Sequence, residues 1–148
     1  MVDVDALYEV LRRTLETGYG ETRFTKVYGY EPLGGVPGPG PFAAFWFTGE
    51  GTKEMTMGNV MVWHRFEVAA FWPINIDLAG REATDRAVLK ACREIQTAFR
   101  ANSKLDDLVM DMDISEAQAG YGEFGNAAYR VLRFTLELWS SEEEAIVA

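Results

Sequence analysis

Acidic residues in one short stretch are the first candidates for chemistry. Asp106, Asp107, Asp111, Asp113 and Glu116 crowd together, and the i, i+2 spacing of Asp111 and Asp113 puts both carboxylates on one face of a strand. Hard divalent cations take several oxygen ligands, so a metal site would need donors from a second element. The sequence nominates none. These acids therefore read as a solvated strand face, or as the lining of a channel. His64 is the single histidine and sits among Val60, Val62, Phe66 and Val68. A general base needs a partner and an orienting group, and no residue presents itself as either, so His64 reads as a packed side chain with one hydrogen bond. Cys92 falls on the apolar face of a helical pattern, away from the electropositive exposure that makes a thiol reactive. The run Gly34-Gly35-Val36-Pro37-Gly38-Pro39-Gly40 has no Lys-Ser/Thr end, and its prolines remove the amide donors a phosphate cradle requires. Trp46, Trp63, Trp72 and Trp139 read as core or interface anchors rather than a ligand cage. No catalytic residue and no cofactor are expected.

The elements that would hold these residues follow from periodicity. Val4, Leu7, Tyr8, Leu11 and Leu15 recur at helical spacing over 3–17, with Asp3 or Asp5 as cap and Gly18 and Gly20 as stop. Residues 23–30 read as a strand, and 31–41 as a Gly/Pro connector. Residues 42–48 form a second strand, apolar on both faces. Residues 49–58 read as a turn around Gly49, Gly51 and Gly58, and 59–72 as a long third strand ended by Pro73. That strand would span about 46 Å at about 3.3 Å per residue. Residues 81–101 give the clearest helix, with Ala87, Val88, Ala91, Ile95, Ala98 and Phe99 on one face. Residues 107–116 alternate, with Leu108, Met110, Met112 and Ile114 opposite Val109, Asp111 and Asp113. Residues 120–126 read as a loop, and 127–139 as a closing strand with Leu132, Phe134, Leu136 and Leu138 inward. The expected fold is α+β: a two-layer sandwich with a mostly antiparallel five-stranded sheet and two helices on one face, in the order α-β-β-β-α-β-β. One domain covers 1–139, followed by a flexible acidic tail at 140–148.

Composition narrows the partners. The formal net charge is −9, the reverse of a protein that binds DNA by neutralising phosphates. It suits a wall that DNA passes without sticking. One cysteine fits a reducing compartment, Asp3 and Asp5 interrupt any signal segment, and no apolar run is long enough for a membrane helix. Leu33, Val36, Met55, Met57, Met61, Tyr121 and Phe124 sit at or beside expected loops, where polar residues are the rule. Clustered apolar side chains in such places mark contact sites, and these are the candidate subunit interface.

In order and texture the chain resembles the tail terminator proteins of long-tailed bacteriophages over nearly all of 3–139. The likeness rests on Gly34, Val36, Pro37, Pro39 and Pro41 before a strand, on the Arg65-Phe66-Glu67-Val68 strand core, and on the Arg130-Val131-Leu132-Arg133-Phe134 closing strand. The resemblance implies a structural virion protein forming a homo-oligomeric ring, a hexamer. The ring would cap the tail tube protein and join the tail to the neck and head connector protein, with genomic DNA passing unbound through the lumen. It implies no catalytic residues and no membrane, a virion location at the tail-neck region, and manufacture in the host cytoplasm. Two other readings stand beside it: another neck or minor tail ring subunit, and a small α+β domain that binds an apolar ligand or acts as an enzyme through His64.

Overall fold

The computed structural model describes residues 2–17, 20–33, 40–56, 59–74, 78–124 and 127–143, with side chains described except at 54–56, 78, 79, 124, 142 and 143. Two helices and six strands follow in the order α1 (Val4–Thr17), β1 (Lys26–Tyr28), β2 (Phe42–Thr56), β3 (Asn59–Pro73), α2 (Leu78–Ala101), β4 (Asp111–Ile114), β5 (Gln118–Phe124) and β6 (Ala127–Glu143). The fold is α+β. The sheet runs β1-β2-β3-β6-β4, and β5 also pairs with β6.

Several expected boundaries are corrected. The sheet has six strands rather than five, and β1 pairs with β2 in parallel. A parallel neighbour cannot be reached by a tight turn, so the chain between Tyr28 and Phe42 has to return to the same end of the sheet. This return accounts for a long connector, and its far end is tied down where Thr25 donates from both N and Oγ1 to the Pro41 carbonyl. The glycines at 49 and 51 do not make a turn. They lie inside β2, which pairs with β3 from Phe42 to Thr56, with register shifts between Phe47 and Gly49 and between Glu54 and Thr56. A Cβ on Gly51 would fall 2.3 Å from the Trp63 ring, so the glycine is the space in which that cross-strand indole lies.

The expected strand at 107–116 shrinks to Asp111–Ile114, because Leu105, Asp106 and Asp107 take positive φ and turn the chain first. Val109 is consequently buried and Met110 exposed, the reverse of the expected facing. The expected loop at 120–126 is mostly strand. β5 pairs with β6 up to Phe124 opposite Ala127. β4 and β5 thus follow one another along the same side of β6. Strand β6 continues past the expected end at 139 and pairs to Glu143 opposite Asn59.

Side-chain facing follows the period-two pattern. Leu132, Phe134, Leu136 and Leu138 are buried with Phe45, Phe66, Val68 and Ala70 on one face of the sheet, against Leu7, Leu11 and Leu15 of α1 and Val88, Ala91, Ile95 and Phe99 of α2. Asp3 caps α1 by accepting from the Ala6 amide at 3.1 Å. Val4, by contrast, is exposed. The opposite face carries a second apolar cluster: Phe42 stacks on Phe71 at 4.5 Å, with Tyr129 edge-on and Ala44, Ala69 and Val131 beside them. The expectation that 42–48 is apolar on both faces therefore holds for its first residues.

Candidate assembly surfaces

The rows of the sheet place those candidate residues that lie in strands. Asp111, Trp139, Trp63 and Gly51 share one row, and Phe66 and Phe47 share another. Farther down, Tyr121, Arg130 and Trp72 share a third. Met61 and Tyr121 are therefore separated by 11 positions along β3, about 36 Å at 3.3 Å per residue. Met61 lies half-buried near the β2–β3 tip, on the face away from the helices. Tyr121 lies on the helix-side face at the other end, 74% exposed, with the Arg130 guanidinium 4.6 Å from its ring centre. Leu33 is 83% exposed. The expected interface residues thus do not form one patch. Val36 and Met57 lie outside the described residues, as do the side chains of Met55 and Phe124.

The acidic candidates also part company. Asp106 is held by Arg13 and by the Asn102 amide nitrogen, and these partners keep its carboxyl below the usual range, Arg13 first. Asp107 is exposed in the same turn. Asp111 and Asp113 do share a face of β4, both exposed, with Asp111 Oδ1 accepting from the Met112 amide. Glu116 is exposed in the break between β4 and β5. Among the described residues, no group of three or more His, Cys, Asp or Glu side chains is arranged to hold a metal ion. Cys92 is half-buried.

Comparison with protein-family models and with curated proteins finds no match to this chain.

His64 has company that its sequence neighbours do not reveal. Its Nε2 lies 3.3 Å from Glu50 Oε2 across the strand pair, and its Nδ1 is buried without a hydrogen-bond partner among the described residues. Both residues line a groove of about 550 Å³ between the sheet and the N-terminal end of α1. The remaining walls are largely apolar, including Val4, Leu7, Phe47, Val62 and Phe66. Sequence reasoning missed Phe47 because it was placed in a doubly apolar strand. Phe47 keeps the register that begins at Phe42, level with Phe66 and 47% exposed on the helix side, and the shift at Thr48 then brings Glu50 onto that same face.

The groove lies beside an open edge. β1 pairs with β2 only as far as Ala44, so among the described residues no strand covers the outer side of β2 from Phe45 onward. On the other side of the sheet, the outer side of β5 is likewise uncovered. Such edges present rows of unpaired backbone donors and acceptors. On the face away from the helices, Arg65 stacks over Trp63 of its own strand at 4.5 Å and bonds Glu137 of β6 at 2.8 Å. That pair ties β3 to β6.

Proposed function

We propose that this chain is a ring-forming structural subunit of a long-tailed phage particle, the terminator that caps the tail tube and joins it to the head connector. The observation that carries the reading is the pairing of two features at opposite ends of one sheet. Tyr121 projects into solvent at one end, and an apolar groove opens beside an open strand edge at the other; Leu33, outside the strands, is exposed as well. A protomer with two different sticky surfaces suits a head-to-tail, closed ring. Each contact repeats around such a ring, so avidity multiplies modest interfaces. The two-layer arrangement fits this role, with the helices on one side leaving both lateral strand edges available. The net charge of −9 and the exposed Asp107, Asp111, Asp113 and Glu116 suit a lumen that passes DNA without retaining it. Asp106 contributes less, being paired with Arg13.

Complementation tests the proposal. Leu33→Ser should leave the thermal transition within a degree or two, because the side chain touches little of the fold. It should reduce incorporation into particles, giving tubes of irregular length or tails without heads. Normal particles would remove Leu33 from the interface.

A second reading is favoured by the groove with His64 and Glu50, which has the size and apolar lining of a small-molecule site. It requires a monomer or dimer that takes up an apolar ligand, and light scattering separates it from a ring.

A further inference from the structure

We propose that neighbouring copies of this chain join by strand addition: the outer edge of β5 of one copy pairs with the open edge of β2 of the next, and Tyr121 enters the groove beside Phe47. This rests on the ring reading above and specifies its contact.

Four observations converge. The open stretch of β2 begins at Phe45, where β1 stops, and continues to Thr56. With Tyr121 level with Phe47, Gln118 to Glu123 fall against Glu50 to Phe45, and Phe124 alone reaches the row of Ala44, where Tyr28 ends β1, so that last pair of β5 stays unmade. The direction is also right. β2 and β6 run the same way, each being antiparallel to β3, and β5 runs opposite to β6. A rotation about an axis near the strand direction preserves these senses, so β5 of one copy meets β2 of the next antiparallel.

The faces match as well. Tyr121 lies opposite Arg130, whose Nε reaches Asp85 of α2 at 3.0 Å, so this row points to the helix side. The groove opens on that same side. A rotation keeps the helix side of each copy continuous with the next, which carries Tyr121 towards Phe47, Val4 and Phe66 rather than to the opposite face. Glu50, an exposed carboxylate on the groove wall, can accept from the tyrosine hydroxyl.

The step between copies is geometrically ordinary. Tyr121 is level with Trp72 and Phe47 with Phe66, six positions apart on β3, or about 20 Å. The repeat across β2, β3, β6 and β5 is four strands, about 19 Å wide. The two lengths give a strand tilt of about 45°, at the top of the range in which sheets close on themselves.

The test uses the full chain and two kinds of variant. Tyr121→Ser and Phe47→Ser, each checked for an unchanged thermal transition, should each weaken self-association measured by sedimentation by about tenfold or more, since buried tyrosines are typical interface anchors. The double variant should be little worse than either single one, because both remove the same contact. Separately, Tyr121→Cys mixed with Phe47→Cys should form disulfide-linked pairs, while neither variant alone should. An oligomer that survives both serine substitutions, or that gives no cross-link in the mixture, overturns the strand-addition contact and leaves the ring reading standing. A chain that stays monomeric at its highest soluble concentration while the groove takes up an apolar dye overturns both.

Discussion

Phe134 illustrates how a single residue fixes the facing of a strand. It is buried against Phe99 of α2, with ring centres 6.2 Å apart. Its neighbours Leu132 and Leu136 are buried, while Arg133 is exposed and Thr135 half-buried. Phe134→Ala should cost about 3–5 kcal/mol in a denaturant titration, the usual loss for a buried phenylalanine truncated to alanine. A near-neutral result would contradict the packing of α2 on the sheet. Gly51 makes the complementary point about space. Because Trp63 occupies the position of its missing Cβ, Gly51→Val should displace the indole and its stacked Arg65. The expected result is a loss of about 1–3 kcal/mol, the range for overpacking, together with a change in tryptophan fluorescence. Unchanged fluorescence would mean that the ring lies elsewhere. The acids at 111 and 113 were legible as one face of a strand from their spacing alone. Asp106 was not separable from them, because its partner Arg13 lies 93 positions away.

At the scale of elements, the strongly periodic segments were readable and the irregular ones were not. Both helices and the inward set of β6 follow directly from the spacing of apolar residues. The extent of β2 was hidden by Gly49 and Gly51, which signal a turn unless a cross-strand tryptophan covers one of them. β5 was hidden by the glycines at 120 and 122. Neither the open edge nor the groove was legible, since both depend on where β1 stops and on the register shift at Thr48. One contact between elements is sensitive to pH. Glu94 of α2 accepts from Thr22 at 2.7 Å and from the Glu21 amide at 3.0 Å, and hydrogen bonds from Thr22, then Glu21, hold its carboxyl below the usual carboxylate range. A depressed folded value means that this stabilisation is present above the ordinary carboxylate pKa and is lost as pH falls through the lowered one. Glu94→Gln should therefore lower the melting temperature at neutral pH and flatten its decline in acid. Parallel acid limbs for the two proteins would show that the tie does not contribute.

For the whole molecule, the sheet carries different chemistry at its two lateral edges, Tyr121 on β5 and the apolar groove beside β2. No metal or cofactor is expected to hold the fold, so a chelator should leave the melting temperature unchanged; a drop of several degrees would turn Asp111 and Asp113 back into a candidate site. The measurement that bears most directly on the ring reading is a three-dimensional reconstruction of the particle that contains this chain. Density for this fold should appear as a closed ring of six copies between the tail tube and the head connector, with DNA passing through its centre. Density elsewhere in the particle, or a two-fold dimer as the assembled state, would contradict it.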